Sequence, residues 1–357
     1  MSIFLTGATG FVGMEVLSRL LLDDPDREVI ALVRARDAAG ARERLFAVLE
    51  QLGAESEAGR VHAVSGDITS PGLGLSDTER DAVASRISSI IHCAASVSFA
   101  LGLEESRAIN VEGTRRVLDL AERVPSLERL VHVSTAYVSG THEGRFGEDD
   151  TDLGQGFRNA YEQSKLEAEI LVRARPGLST TVVRPSIVVG DSQTGWTAAF
   201  NVVYYPLQAF ARGLATAVPA DPEAPVDIVP VDYVADGIIA ALDAPGTETL
   251  NLVAGDGAGR IGELAELAGQ YFERPAPTLV PPDRFTDSSA ATEGMEIYFP
   301  YFSVRARFDD AHARALGLQA PALESYFDKL MEFAVAARWG KRKPPRTMLT
   351  DRTSRAA

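Results

Sequence analysis

Short apolar runs rich in β-branched residues alternate with amphipathic stretches of helical periodicity through the first 190 residues. Strands are predicted at Ser2–Leu5, Glu28–Val33, Val61–Val64, Ile90–Cys93, Leu130–Val133 and Thr181–Val189. Helices are predicted at Gly10–Leu22, 38–52, Asp77–Ser85, Asn110–Arg123 and Asn159–Arg175. Alternation of this kind builds right-handed βαβ units around a parallel sheet that helices cover on both faces. The sequence therefore predicts a doubly wound α/β fold.

The pattern changes after Gly190, where aromatic residues and prolines become frequent. Strand patterns return at Val226–Val231 and Thr249–Val253, and residues from about 257 mix helices with Pro-rich turns. We therefore expect a nucleotide-binding domain from residues 1–190 and 226–256, and a smaller discontinuous substrate lobe from 191–225 and 257–340. Residues 341–357 hold six basic residues and one acidic residue, which favours a flexible solvated tail over a membrane-surface patch.

Composition excludes several classes of protein. The 357 residues carry 35 Lys and Arg against 50 Asp and Glu, a net charge of −15, which argues against nucleic-acid binding. The single cysteine, Cys93, excludes an internal disulfide framework, and with only five histidines no metal site is expected. The sequence shows neither a targeting segment nor a transmembrane span, so we expect a soluble, cytoplasmic protein.

A glycine-rich turn follows the first predicted strand. It reads Gly7-Ala8-Thr9-Gly10-Phe11-Val12-Gly13 and leads into the first predicted helix. Glycines close such a turn tightly, and a pyrophosphate can then bind the unpaired N–H groups at the helix N-terminus. This context, a strand before the turn and a helix after it, predicts a Rossmann-type dinucleotide site rather than a purely structural turn.

The residues after the second and third strands bear on cofactor choice. An NAD enzyme usually places an acidic residue at the end of the second strand, but here the strand ends in Arg34, with Arg36 close behind. Guanidinium groups suit a 2′-phosphate, so we predict NADP(H), unless both arginines are simply solvated. Asp67, followed by Ile68, is placed to meet the adenine, although a helix N-cap role fits Asp67 nearly as well.

Tyr161 and Lys165 lie four residues apart inside a predicted helix, so their side chains share one face. An unperturbed phenol has a pKa of about 10, and we expect the nearby ammonium to lower the pKa of Tyr161 towards the working range. Thr135 and Ser134 end the strand before this helix, where a hydroxyl can stabilise charge on a substrate oxygen. We predict Thr135 for this role, with Ser134 in reserve.

These residues together resemble the extended short-chain dehydrogenase/reductase family over residues 2–255. The resemblance also rests on Asn110-Val111-Glu112-Gly113-Thr114, Arg184-Pro185-Ser186 and Pro230-Val231-Asp232-Tyr233. It implies that Tyr161 is the catalytic acid/base, that Lys165 assists it and holds the nicotinamide ribose, and that Thr135 binds the substrate oxygen. It further implies cofactor contacts at Cys93, Ala94, Ala95, Asn110, Pro185, Ser186 and Val188.

Within that family the chain is similar to the fatty acyl-CoA reductase and thioester reductase branch, which has a male-sterility-type NAD-binding domain. The similarity runs through Leu32–Ala35, Ile91–Phe99, Val131–Val138, Val183–Trp196 and Tyr298–Asp309. In carboxylic acid reductases this domain follows an adenylation domain and a carrier domain. The 357 residues hold neither, so we expect the thioester to come from CoA or from a separate carrier protein.

Several functions remain open at this point. The leading hypothesis is an NADPH-dependent reductase of acyl thioesters that yields an aldehyde or alcohol. The apolar run from Trp196 to Phe210 could line an acyl chain, with Ser134, Val97, Trp196 and Tyr204 as substrate contacts, or it could be ordinary core. An aldehyde, ketone or alcohol oxidoreductase is the alternative, followed by a nucleotide-sugar epimerase or dehydratase and by a non-enzymatic NADP-binding protein. The family also implies a possible homodimer.

Overall fold

The computed structural model of the chain describes residues 2–214, 216–246, 248–285 and 296–346. The strands in these ranges are β1 (Ser2–Thr6), β2 (Val29–Val33), β3 (Val61–Ser65), β4 (Ile87–His92), β5 (Arg129–Val133), β6 (Gly144–Phe146), β7 (Thr180–Pro185), β8 (Ile187–Val189), β9 (Ala217–Pro219), β10 (Pro225–Val226), β11 (Ile228–Pro230), β12 (Glu248–Leu252), β13 (Gly259–Arg260), β14 (Thr278–Val280) and β15 (Ala306–Phe308). The α-helices are α1 (Phe11–Asp23), α2 (Ala38–Leu52), α3 (Asp77–Ala84), α4 (Leu103–Ala121), α5 (Ala160–Arg173), α6 (Tyr204–Ala211), α7 (Val231–Asp243), α8 (Ile261–Tyr271), α9 (Ala311–Ala315) and α10 (Phe327–Ala336).

The central sheet has the strand order β12-β7-β5-β4-β1-β2-β3, and every neighbouring pair in it is parallel. The chain moves from β1 towards β2 but from β4 towards β5, so the two connections diverge at the β1–β4 junction. In a doubly wound sheet the crevice at such a junction, beyond the carboxyl ends of the strands, is where a nucleotide binds. The predicted fold class is confirmed.

Alternating side chains of the sheet build two separate apolar cores. On one face, Phe4, Ile30 and Ile90 join the cluster buried beneath α3, α4 and α5. On the other face, Leu5, Ala31 and further alternate residues pack with α1, α2 and α7. Each fully buried Leu, Ile or Phe contributes about 1.5–3 kcal/mol, so burial on both faces holds the carboxyl edge of the sheet in place.

The C-terminal lobe is built from short pieces. Two-stranded sheets pair β9 with β14 and β10 with β13 in the lobe, β6 with β15 between the two halves, and β8 with β11 within the nucleotide-binding half. The long strand predicted at Thr181–Val189 is two strands in the structure, because the chain leaves the central sheet at Ser186 and β8 pairs with β11 instead. Helix α4 begins at Leu103, seven residues before the prediction, and Glu104 and Glu105 favour that N-terminus electrostatically.

The chain's C-terminal segment packs against the nucleotide-binding half. Arg346 is 5% exposed and forms ion pairs with the buried carboxylates of Glu15 in α1 and Asp191 after β8. Its guanidinium also lies 5.6 Å from the centre of the Trp196 ring. The expected solvated tail therefore does not include Arg346, while residues 347–357 lie outside the described residues. Among the helices that the structure describes, none is both long and apolar enough to cross a membrane.

Candidate active site

A cleft of about 340 Å³ opens where the carboxyl ends of β1, β4, β5 and β7 meet the lobe. It brings most of the predicted site residues together. These are Gly7, Gly10, Phe11, Val12, Gly13, Cys93, Ala95, Val97, Ser134, Thr135, Tyr161, Lys165, Pro185, Ser186 and Val188. Residues more than 180 positions apart in sequence therefore line one cleft at the predicted edge of the sheet.

The glycine turn leaves the start of α1 open to an anion. Gly7 has a φ of +79°, and a Cβ atom there would lie 2.7 Å from the backbone nitrogen of Ala94. A Cβ atom at Gly13 would lie 2.0 Å from the carbonyl oxygen of Gly7, so both positions require glycine. Gly10 precedes α1 and no side chain caps the helix, so its first N–H groups face the cleft uncapped. This turn fits a dinucleotide pyrophosphate.

The residues predicted to meet the adenosine end follow β2 and β3 at the same edge of the sheet. Arg34 and Arg36 are exposed there, and the Arg44 guanidinium donates a hydrogen bond to the Arg34 carbonyl. The Asp67 carboxylate accepts 2.8 Å hydrogen bonds from the backbone N–H and hydroxyl of Thr69, so it shapes a turn and caps no helix.

Three further predicted cofactor residues lie outside the cleft wall. Thr9 is exposed at the tip of the glycine turn, and Ile68 packs beside Gly113. The N–H of Ala94 donates to the Thr6 hydroxyl over 3.2 Å, beneath the cleft surface. These residues shape the turns around the crevice, whereas their neighbours Gly10, Cys93 and Ala95 line it.

Tyr161 and Thr135 both line the cleft and form what we call its hydroxyl end. Helix α5 begins just before Tyr161, where the Asn159 side chain accepts a hydrogen bond from the Glu162 N–H over 3.1 Å. Burial raises the pKa of Tyr161 to about 12, and a hydrogen bond with the Thr135 hydroxyl opposes that rise. The phenol therefore keeps its proton at neutral pH and is ready to donate it.

Lys165 does not lower the pKa of Tyr161 as expected. Its Nζ atom donates to the carbonyl oxygen of Val133 over 2.8 Å, at the end of β5. Burial lowers the pKa of Lys165 itself to about 8, against the attraction of Glu169. The predicted direction of the Tyr161 shift is wrong because desolvation of the buried phenol outweighs the attraction that helical spacing alone suggests.

The two neighbouring hydroxyls at the end of β5 have different partners. The Ser134 hydroxyl donates to the Glu169 carboxylate over 3.0 Å. The Arg184 guanidinium donates two hydrogen bonds, of 3.1 and 2.5 Å, to the same carboxylate. The side chains of Arg184 and Glu169 are both fully buried. The Thr135 hydroxyl instead accepts from the Tyr137 N–H over 3.3 Å and donates to the Pro185 carbonyl over 3.4 Å. It also lies close enough to Tyr161 to hydrogen-bond with the phenol, which favours Thr135 as the hydroxyl that meets a substrate oxygen.

Asn110 is a buried residue that connects two elements next to the cleft. Its side-chain oxygen accepts from the Ser96 N–H over 2.8 Å, and its amide nitrogen donates to the Ser164 hydroxyl over 2.9 Å. Asn110 is 2% exposed and therefore connects the loop after β4 to helix α5 instead of lining the cleft.

The structure also places Trp196 and Tyr204 away from the cleft. Each is 1% exposed, so the prediction that they contact substrate is wrong. The Trp196 ring lies 6.2 Å from that of Phe11 and stacks beneath the Arg346 guanidinium. The Tyr204 hydroxyl accepts a 3.0 Å hydrogen bond from the Gly190 N–H. Both side chains fill the core, the alternative that the apolar run left open.

Three rings cover the hydroxyl end of the cleft and were not predicted as site residues. We call Phe99, Tyr298 and Tyr301 the aromatic cap. The Phe99 ring centre lies 5.7 Å from that of Tyr161, 4.9 Å from that of Tyr301 and 5.6 Å from that of Tyr298. The Tyr301 hydroxyl also accepts from the Asn159 amide over 2.9 Å, which connects the lobe to the start of α5. In the sequence, the aromatic cap is indicated by the four aromatic residues within 298–302.

The profile of the family described as male sterility protein matches residues 5–238. The chain belongs to this family. It is thus of the extended short-chain dehydrogenase/reductase type, and the matched region is a nicotinamide-dinucleotide-binding domain. The resemblance seen in the sequence is confirmed.

Individual relatives agree with this assignment. Fatty acyl-CoA reductase 1 of Xenopus laevis is 31% identical over 277 residues, covering 67% of this chain and 54% of that protein. The large subunit of L-2-aminoadipate reductase from Penicillium chrysogenum is 32% identical over 271 residues, covering 70% of this chain and 19% of that subunit. The chain thus spans about half the length of the fatty acyl-CoA reductases it matches.

A solved structure matches almost the whole fold. The terminal R domain from the myxalamid PKS-NRPS pathway superposes with a TM-score of 0.82 at 29% identity. The match covers 96% of this chain and 92% of that domain, so it includes the lobe as well as the sheet.

Proposed function

We propose that this protein reduces acyl thioesters to aldehydes with NADPH. The observation that carries the proposal is the cleft itself, where Thr135, Tyr161 and Lys165 lie beside an uncapped glycine turn and beneath the aromatic cap. The relatives support the substrate class, since fatty acyl-CoA reductases and a synthetase R domain are both similar to this chain. CoA or a separate carrier protein would deliver the acyl group.

The residues of the cleft have different roles in such a reduction. The dinucleotide, when bound, supplies a hydride for the thioester carbonyl carbon. Thr135 and Tyr161 donate hydrogen bonds to the carbonyl oxygen, where negative charge develops. Expulsion of the thiolate leaves the aldehyde, and Tyr161 or water protonates the departing sulfur. With a second bound NADPH to supply a hydride, the same residues can bind the aldehyde and donate the proton that gives an alcohol.

Lys165 serves the cofactor side of this arrangement. With a pKa of about 8, its ammonium is mostly protonated at neutral pH and can donate hydrogen bonds to a ribose hydroxyl. Lys165 lies one helical turn from Tyr161, so a cofactor held by Lys165 lies beside the proton donor. Proximity of this kind is what hydride and proton transfer to one carbonyl group require.

The preference for NADPH rests on Arg34 and Arg36. Both are exposed after β2, and the chain carries no acidic residue at the end of that strand to bind a free 2′-hydroxyl. Two guanidinium groups can instead bind a 2′-phosphate through charge-assisted hydrogen bonds.

Replacing the proton donor tests the proposal. Tyr161→Phe should lower turnover of acyl-CoA by roughly 10²–10⁴-fold, because the phenol that donates the proton is removed. NADPH affinity, measured by fluorescence titration, should stay nearly constant. Tyr271→Phe is the matched control, since Tyr271 packs against Phe272 and Phe327 in the lobe. Full activity in Tyr161→Phe would remove the acid/base assignment.

A further inference from the structure

A second pocket, of about 50 Å³, lies inside the lobe between α6, α8 and the β9–β14 pair. Only apolar side chains and prolines line it, among them Leu207, Phe210, Leu264, Ala265, Leu279 and Phe302. A lining without hydrogen-bonding side chains offers nothing to a polar ligand and favours an apolar group. We call this space the lobe pocket.

The lobe pocket and the catalytic cleft share a thin wall. Val202 lines the cleft and Val203 lines the lobe pocket. Likewise Tyr301 lines the cleft and Phe302 lines the lobe pocket. Two pairs of adjacent residues thus lie between the spaces, so a flexible chain bound at Tyr161 would reach the apolar lobe pocket by passing these residues.

The backbone of this wall is in an unusual conformation. Val202 has a φ of +34°, a region that β-branched residues rarely adopt. Residues held in such conformations cluster at ligand-binding and switch regions. The strained residue of the wall is thus the one that faces the cleft.

We propose that the lobe pocket receives the far apolar end of the acyl chain whose thioester carbonyl lies between Thr135 and Tyr161. This rests on the proposed function. At 10–15 Å³ for each water-sized group, about 50 Å³ admits roughly three to five methylene-sized groups. The pocket therefore sets an upper limit on chain length. Below that limit each methylene that enters adds about fourfold to affinity.

Leucines on α8 provide matched variants. Leu264 lines the lobe pocket, whereas Leu267 lies one turn further along the same helix and outside the lining, and both are half-buried. Leu264→Trp should fill the pocket, and Leu264→Ala should enlarge it. The variants Leu267→Trp and Leu267→Ala change the same helix without changing the pocket. Thermal melts verify that each variant is folded.

The first readout is kcat/KM for a series of saturated acyl-CoA thioesters of increasing length. Leu264→Trp should lower kcat/KM for the longest accepted chains by about 60-fold or more, the value for three displaced methylenes, and leave the shortest chains unchanged. Leu264→Ala should extend the range to longer chains. The Leu267 variants should keep the wild-type length profile. An unchanged profile in both Leu264 variants would overturn the proposal even though thioesters are reduced.

The second readout does not depend on turnover. Calorimetric binding of free fatty alcohols of graded length should show the same shift in length preference between Leu264→Trp and Leu264→Ala. If this shift occurs while no thioester is reduced, the lobe pocket is supported and the proposed reaction fails. If no variant alters alcohol binding, the pocket proposal fails.

Light scattering gives a third readout. If the Leu264 variants change the oligomeric state without changing the length preference, the lobe pocket binds a second copy of the chain, and the acyl-chain proposal is overturned.

Discussion

In the sheet half, the candidate functional residues of the glycine turn and of helix α5 that lie together in space are also close in sequence. In the C-terminal lobe, the residues that meet are far apart along the chain. In the sheet half, Gly7, Gly10 and Gly13 form one turn, and Tyr161 and Lys165 share one helix face. In the lobe, Tyr301 meets Asn159 across 142 positions of sequence, and Arg346 meets Glu15 across 331. The residues proposed to act in the reaction therefore lie in short local segments, whereas the position of the aromatic cap depends on how the two halves pack.

Removing Arg346 breaks the connection between the halves and should have the largest effect. Arg346→Ala leaves the buried Asp191 carboxylate without its cation and leaves Glu15 with Arg19 alone, which should cost about 3–5 kcal/mol of unfolding free energy in urea denaturation. Burial raises the pKa of Glu15, so stability linked to this carboxyl is lost as the pH rises. The defect in Arg346→Ala should therefore shrink at acidic pH.

Arg342→Ala is the control for that measurement. Arg342 is exposed four residues earlier, and its removal should change stability by about 0.5 kcal/mol or less. Equal, small losses in both variants would mean that the C-terminal segment contributes little to the nucleotide-binding half.

Within the sheet half, Thr135 and Ser134 should have different effects when their hydroxyls are removed. Thr135→Val should lower kcat roughly 10²–10³-fold, because a donor to the developing oxyanion is lost. Ser134→Ala should instead cost about 1–3 kcal/mol of stability, because the buried Glu169 carboxylate loses one hydrogen bond. Steady-state kinetics and urea denaturation of the two variants separate these outcomes. A larger loss of kcat in Ser134→Ala would reverse the assignment.

Arg34 should give the smallest effect, since it is exposed and its interactions are screened by solvent. Arg34→Ala should weaken NADPH binding roughly 10-fold at low salt and leave NADH binding nearly unchanged. Arg42→Ala, an exposed change in α2, is the control. Equal weakening of both cofactors by Arg34→Ala would contradict a role in binding the 2′-phosphate.

The sheet half could be predicted because strand and helix patterns alternate regularly along its sequence. Strand β2 and helix α2 lie within one residue of their predicted bounds, since two-residue and 3.6-residue periods are local signals. The glycine turn was predictable for the same reason, because glycine spacing and flanking elements lie within one short segment. Thr135, Tyr161 and Lys165 come together in the cleft that the βαβ order implies.

Long-range packing explains what the sequence could not reveal. The aromatic run at 298–302 predicts burial, but only the folded lobe places Tyr298 and Tyr301 against Phe99. The sequence predicts Trp196 as a substrate contact and Arg346 as part of a solvated tail, whereas in the structure the two side chains pack against each other and Trp196 also packs against Phe11. The pKa of Tyr161 likewise depends on desolvation by its neighbours, which helical spacing does not reveal.

Thioester reduction is tested most simply by NADPH oxidation with the purified protein, with a long-chain acyl-CoA in one cuvette and the matching aldehyde in another. Thioester reduction predicts NADPH consumption and release of free thiol with acyl-CoA, with Tyr161→Phe inactive. Consumption with the aldehyde alone, and no thiol released from acyl-CoA, would contradict the account and make the protein a carbonyl reductase.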